Sequence, residues 1–227
     1  MAPPPTLPGL VQRGLERLYR IETELDVRDF LIDAAARDAI ATHPARSAGA
    51  QAPRRASRSL TRSCSRDGDL ELALFLDERV LANLRAHDPR AGLDDRNLAD
   101  FLLAVEGVSH FVYLVWRARH RRPVSALELE LQAEVDKYVT CLLTLEPQGP
   151  ARGDLRARLF DRFEWEPDLA PHERERYQVA NENARAYAAA LDARFVARGG
   201  LADMLAELRR FYRMSGPEKL AHIAQAA

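Results

Sequence analysis

The stretch from Leu98 to Trp116 constrains the fold most, because it is apolar on nearly every side of a helix. A helix of this kind has to be buried, either in a protein core or in a membrane. Its length approaches that of a bilayer span. However, Asp100, Glu106 and His110 lie within it, and charged groups are unfavourable at the centre of a bilayer. We therefore predict that residues 96–119 form the buried central helix of a soluble protein without a membrane role.

Helical patterns also cover most of the remaining chain. Ser125 and Glu128 have the spacing of a capping box in front of an apolar helical stripe, and Ser215 and Glu218 repeat that spacing. Asp77 is a candidate N-cap. Further helices are predicted at 9–20, 78–87, 154–163, 171–198, 201–213 and 216–226. The predicted fold is mainly α, of the α+β class, with a multi-helix bundle around the central helix.

One β element is predicted in the N-terminal third of the chain. Leu60–Ser65 and Leu70–Leu76 flank an Asp-Gly pair, which readily takes the positive φ angles of tight hairpin turns. The pattern predicts a small antiparallel sheet formed by a hairpin at 60–76. Residues 21–28 alternate between apolar and polar side chains, which fits a strand, but a helix running through them is an equal alternative.

Composition suggests how the chain is divided. Four of the first eight residues are proline, so we expect a disordered leader at 1–8, and it lacks the basic and apolar regions of a secretory signal. Residues 44–58 are rich in arginine, serine and alanine and contain no acid, which predicts a mobile loop. We expect an N-terminal α+β part at 9–92 and a helical bundle at 93–227, together forming one compact domain.

Charge and cysteine content limit the classes of partner. The chain has 33 basic and 34 acidic residues, so its net charge of −1 creates no field that attracts nucleic acid or anionic membrane. Cys64 and Cys141 are far apart in sequence, which predicts free thiols, no disulfide and a cytoplasmic location.

Only Lys137 and Lys219 are lysines. The excess of arginine, with abundant alanine, is typical of a GC-rich genome and needs no functional explanation.

Two arginine clusters are nevertheless candidate anion-binding sites. One lies in the predicted loop and hairpin, and the other follows the central helix, where cations complement the negative end of the helix dipole. Neither cluster is interleaved with aromatic residues that would stack on bases, so nucleic acid is the least favoured partner. The candidates are Arg54, Arg55, Arg58, Arg62, Arg119, Arg121 and Arg122.

The clearest chemical feature is a carboxylate and an imidazole one turn apart on the central helix. Glu106 and His110 share one side of that helix, and Tyr113 and Arg117 extend the stripe. The pair has three possible uses: a metal site, an acid–base pair, or a structural pair that includes Arg117. The structural interpretation is the simplest, because the Glu-x-x-His spacing of two-metal helical bundles is absent.

Two residues on later helices are further candidates. Glu134, with its neighbour Glu130, can approach Glu106 or His110 if the helices at 96–119 and after Ser125 pack antiparallel, although a solvated acidic face is the simpler interpretation. Asn181 faces the predicted core of its helix, as a polar anchor or a pocket residue.

No catalytic motif stands out, and no cofactor is indicated. The sequence is therefore interpreted as a soluble cytoplasmic interaction or regulatory protein without catalytic activity, which binds another protein or a second copy through helical faces. The first alternative is an enzyme or metal protein whose site is Glu106 and His110, with Glu134 as a further catalytic candidate. The second is a nucleic-acid binder that uses the arginine-rich segments.

Overall fold

The computed structural model describes residues 6–42, 58–64, 70–145, 154–161 and 169–226. These residues are mainly helical, as predicted. The predicted mobile loop lies outside the described residues except for Arg58, which begins a strand. Most of the predicted leader also lies outside them, but Leu7 and Pro8 already belong to the first helix.

The elements follow the predicted order, with two that were not predicted, a two-residue strand and a short helix at Ala34–Thr42. The α-helices are α1 (Leu7–Tyr19), α2 (Ala34–Thr42), α3 (Glu78–Ala86), α4 (Leu98–Arg119), α5 (Ala126–Thr144), α6 (Pro171–Arg194), α7 (Leu201–Arg213) and α8 (Gly216–Ala226). The strands are β1 (Leu31–Ile32), β2 (Arg58–Cys64) and β3 (Leu70–Leu76). Short 3-10 turns occupy Val27–Phe30, Pro89–Ala91 and Val196–Arg198, and Ala157–Asp161 has π-helical geometry.

The chain forms two compact units. The first contains the residues up to Gly14 and Glu22–Arg122, and the second contains Leu15–Ile21 and the residues from Pro123 onward. Helix α4 therefore belongs to the same unit as the sheet, whereas composition alone suggested a boundary near residue 92. The end of α1 belongs to the second unit, although its beginning belongs to the first.

The sheet of the first unit has β3 in the centre, with the strand order β1-β3-β2. Strand β2 runs antiparallel to β3, with Arg58 opposite Leu76 and Cys64 opposite Leu70. Strand β1 runs parallel to β3, with Leu31 opposite Leu74. The sheet is therefore mixed, and the prediction of a purely antiparallel sheet is wrong, because β1 adds a parallel pairing to β3.

The alternating segment at 21–28 forms neither a strand nor an α-helix. Asp26 accepts a hydrogen bond from the backbone N–H of Arg28 at 2.9 Å and begins a 3-10 turn. The Gln12 side chain accepts from the backbone N–H of Val27 at 2.8 Å and donates to Thr23 Oγ1 at 2.9 Å. Side chains therefore accept hydrogen bonds from backbone N–H groups that would pair with a neighbouring strand if this segment were a strand.

Several aspartates begin turns in the same way, each followed two residues later by an arginine. Asp77 was predicted to cap α3, and it accepts from the backbone N–H of Arg79 at 2.8 Å while the Arg79 guanidinium lies 2.7 Å from its carboxylate. These hydrogen bonds lower the pKa of Asp77 to about 2. The pattern recurs at Asp26–Arg28, Asp88–Arg90 and Asp94–Arg96. Part of the arginine excess therefore has a local structural use.

Helix α4 packs closely on β3 through a glycine. A Cβ added at Gly107 would lie 3.1 Å from Leu74 Cδ1 and 3.3 Å from Leu76 Cδ2. Both leucines are buried, so their side chains have little room to move away.

Among the described helices, α4 alone is long and apolar enough to cross a membrane. Most of it is buried within the protein, as expected for the core helix of a soluble protein.

We predict that Gly107→Val lowers the free energy of unfolding by about 1–3 kcal/mol, because a branched side chain there overpacks the contact with β3. Gly14 is the matched control, since it lies in α1 and has no atom within 4 Å of an added Cβ. Gly14→Val should have little effect, because valine is no worse than glycine at an exposed helical position. Chemical denaturation followed by circular dichroism measures both. Equal effects of the two substitutions would show that α4 and β3 are not in close contact.

Candidate functional site

The polar side chains of α4 form a buried stripe. Glu106 and His110 are each 1% exposed, Tyr113 is completely buried and Arg117 is 3% exposed. A carboxylate oxygen of Glu106 and a ring nitrogen of His110 lie within 4.8 Å of each other. The structure therefore brings the two predicted residues together in a buried environment.

The rest of the stripe continues toward the carboxyl end of α4. The Arg117 guanidinium lies 5.7 Å from the centroid of the Tyr113 ring. Helical side chains lean toward the N-terminus, so this guanidinium reaches back by one turn in the direction of His110. The Trp116 ring stacks beside the Tyr113 ring with a centroid separation of 6.1 Å.

Glu134, the third catalytic candidate, lies on α5 in the second unit. Its carboxylate is 2.7 Å from Lys137 Nζ, one turn further along the same helix. The side chain is 8% exposed, so the ion pair is largely removed from water. Within its own unit, Glu134 therefore has a cation that accounts for its charge.

The interpretation of α5 as carrying a solvated acidic face is wrong. Its acidic residues Glu128, Glu130, Glu134 and Asp136 are all buried. Ser125 accepts from the backbone N–H of Glu128 at 3.1 Å, as the predicted cap requires. The carboxylate of Glu128 lies against Gly216 at the start of α8, 3.2 Å from the position of an added Cβ.

Asn181, the pocket candidate, is 8% exposed on α6, which packs against α5.

The arginine candidates are spread over different environments. Arg119 forms an ion pair with Glu24 at 2.5 Å and donates to the Thr23 carbonyl at 3.2 Å. Arg121 and Arg122 are exposed beyond the end of α4. Arg58 and Arg62 pair through their backbones with β3. Arg54 and Arg55 lie outside the described residues. Arg119 thus has a structural partner, and the use of the other candidates in anion binding stays a prediction.

A buried polar network in the second unit escaped the sequence analysis. Lys219 Nζ donates to Gln132 Oε1 at 2.6 Å, and the Gln132 amide donates to Asp136 Oδ1 at 2.8 Å and to Tyr19 Oη at 3.2 Å. The Tyr19 hydroxyl donates to Asp136, and its ring stacks on Tyr212 at 3.9 Å. The network connects the end of α1, the middle of α5 and the start of α8.

The scarcity of lysine was the signal that could have indicated this network. Both lysines of the chain lie in the second unit, and Lys219 is completely buried. An ammonium is compact and its three donors rotate freely, whereas a guanidinium is planar and larger. In a chain that otherwise uses arginine, a lysine therefore indicates a place where a guanidinium does not fit.

A second cluster joins α6, α7 and α8. The Tyr187 hydroxyl donates to Glu207 Oε1 at 3.4 Å, and His222 Nε2 contacts the same oxygen. Tyr187 stacks on Phe211 at 4.1 Å. Burial, together with the Glu207 carboxylate, raises the pKa of Tyr187 above its ordinary value. These contacts account for the polar groups and hold the three helices together.

We predict that the protein loses stability above about pH 10 and that Tyr19 contributes to the loss. Burial and the Asp136 carboxylate raise the pKa of Tyr19 well above its ordinary value. An unfolded tyrosine ionises near pH 10, so rising pH favours the unfolded chain by up to about 1.4 kcal/mol per pH unit for each such group.

Denaturant unfolding at several alkaline pH values tests this prediction. Tyr19→Phe also removes a buried hydrogen bond, so it lowers stability at neutral pH, but the informative quantity is the slope of stability against pH. The slope should be shallower than in the wild type for Tyr19→Phe and for Tyr187→Phe. A slope that neither substitution changes would show that these hydroxyls ionise normally in the folded protein.

Comparison of the chain with protein-family models, curated proteins and solved structures finds no match.

Proposed function

We propose that the protein binds a divalent transition-metal ion through Glu106 and His110. The observation that carries this proposal is the close approach, within 4.8 Å, of a buried carboxylate and a buried imidazole on a rigid helix. Histidine is the commonest protein ligand for such metals, and a carboxylate is a second ordinary ligand. Mixed nitrogen and oxygen ligands favour Zn²⁺, Fe²⁺ or Mn²⁺.

The spacing on α4 supports this assignment. Residues at positions i and i+4 lie on the same face of a helix, and helical ligand pairs with this separation hold zinc in other proteins. Two protein ligands leave coordination positions open to further groups, to water or to a substrate, which is the arrangement of a catalytic rather than a purely structural metal.

A bound metal ion is compatible with the burial of Glu106 and His110. Removing a carboxylate from water costs several kcal/mol unless a positive charge or hydrogen bonds compensate. A dication bound by both side chains supplies that charge and does not require the histidine to be protonated. The interaction hypothesis has weaker support, because the large apolar side chains that are exposed in the described part of the chain are the scattered Leu25, Leu143 and Leu201.

Metal titration of the full-length protein, stripped with a chelator, tests the proposal. We expect Co²⁺ to give a visible absorption spectrum that saturates at one ion per chain and Zn²⁺ to raise the melting temperature, because a ligand that binds only the folded state stabilises it. Glu106→Gln and His110→Gln should each weaken binding by at least about tenfold, which corresponds to 1.4 kcal/mol.

The chain offers matched controls on the same unit. Glu78 and His120 are exposed, so Glu78→Gln and His120→Gln remove the same chemical groups without touching the pair. Glu134→Gln should also leave metal affinity unchanged, because Glu134 pairs with Lys137. If the wild type binds no metal and His110→Gln lowers the free energy of unfolding by about 1–3 kcal/mol, the pair is structural and the proposal is wrong.

A further inference from the structure

Helix α1 ends in a Schellman motif that has an arginine where glycine is usual. The backbone N–H of Ile21 donates to the Glu16 carbonyl at 3.0 Å, and that of Arg20 donates to the Arg17 carbonyl at 3.4 Å. The residue in the position of Arg20 has to adopt a positive φ angle, which glycine adopts most easily, and the φ of Arg20 is 51°. Arg20 is exposed, and its guanidinium forms no ion pair within the described residues. Contacts inside the described part of the chain therefore do not explain an arginine at this strained position.

Two arginines of α7 reach the same helix end. Arg209 Nε donates to the Leu18 carbonyl at 2.8 Å. Arg213 Nη2 donates to the Tyr19 carbonyl at 3.0 Å and to the Arg20 carbonyl at 3.3 Å. All of these residues belong to the second unit. Three arginines from two helices thus converge on the last carbonyls of α1.

This convergence brings like charges together. Arg209 is half-buried, and within the described residues its guanidinium bonds to a neutral carbonyl and to no carboxylate. Burial, followed by the charges of Arg20 and Arg213, lowers the pKa of Arg209. The carboxyl end of a helix carries about half a negative charge. Arg20 and Arg209 alone therefore exceed the charge of the helix end by roughly one and a half positive charges.

We propose that Arg20, Arg209 and Arg213 form a surface binding site for a phosphate group. The site lies in the second unit and does not depend on the proposed metal site. A phosphate monoester carries about −1.5 to −2 charges at pH 7, which matches the local excess of positive charge better than a single carboxylate does. A guanidinium has five N–H donors, and Arg209 uses one of them within the described residues. Its remaining donors can form the paired hydrogen bonds that guanidinium groups make with phosphate.

The surroundings of the cluster favour a single phosphate group over a nucleic-acid strand. Proteins that bind single strands present exposed aromatic rings on which the bases stack. Tyr19 and Tyr212, which stack on each other beside the cluster, are both completely buried. The same phosphate chemistry occurs in a soluble phosphate ester and in the headgroup of a phospholipid. The experiment therefore has to separate these two sources.

Titration calorimetry of the full-length protein in a chelator tests the proposal, because the chelator removes any metal that could bind phosphate itself. Inorganic phosphate and glycerol phosphate are the soluble probes, and sedimentation with vesicles that contain phosphatidic acid is the membrane probe. We expect saturable binding to at least one probe, and binding that weakens as the salt concentration rises. A response to the soluble probes alone identifies a phosphate ester, and a response to the vesicles alone identifies a lipid headgroup. A wild type that binds none of the probes would overturn the proposal.

Arg20→Gly separates binding from folding. Glycine suits the positive φ angle, so this substitution should keep or raise the melting temperature. It also removes one guanidinium, so it should weaken phosphate binding by about tenfold, as should Arg209→Gln. Arg185→Gln is the matched control, since it removes the same charge from the same unit but from a guanidinium paired with Asp161 at 2.9 Å. Binding that Arg20→Gly leaves unchanged, or that Arg185→Gln weakens equally, would show that the phosphate binds elsewhere or without a defined site.

Discussion

The burial of most of α4 is the constraint on which the first unit depends. A helix that is apolar on all sides has no face to turn toward water, so neighbouring elements have to enclose it. The close contact of Gly107 with β3 permits this enclosure on one side. Enclosure then raises the cost of any polar group on the helix, so Glu106, His110 and Arg117 persist only with compensating interactions. The proposed metal would supply part of that compensation for Glu106 and His110.

Features that depend on local sequence were predictable. Asp77 and Ser125 were recognised as caps because a capping side chain bonds a backbone group two or three residues away. Strand β1 was not recognised, because its two residues pair with β3 more than 40 positions later and carry no periodic pattern of their own. The alternation at 21–28 suggested a strand, but no strand forms there. The side chains of Asp26 and Gln12 bind the backbone N–H groups that a strand would use for pairing.

The candidate site shows the same division. Glu106 and His110 stand one turn apart on a single helix, so the sequence alone identifies them as neighbours. The acids of α5 look like a solvated face because their spacing does not reveal their partners, and Asp136 is buried through contacts with Tyr19 and Gln132. Lys219 comes from a third segment of the chain. The available signal for Lys219 was that it is a lysine in a chain that otherwise uses arginine. Genome composition alone does not explain the presence of a lysine there.

The assignment of the end of α1 to the second unit has a consequence for biosynthesis. Arg209 donates to the Leu18 carbonyl and Arg213 to the Tyr19 carbonyl, across sequence separations of 191 and 194 residues. At about 5–20 residues per second, the ribosome takes roughly 10–40 s to add the arginines after it has added the tyrosine. During that interval the aromatic ring that later stacks on Tyr212 has no native partner there. The hydroxyl of Tyr19 meets its partners Asp136 and Gln132 earlier in synthesis than its ring meets Tyr212, so the aromatic stacking in the second unit can form only after nearly the whole chain has been made.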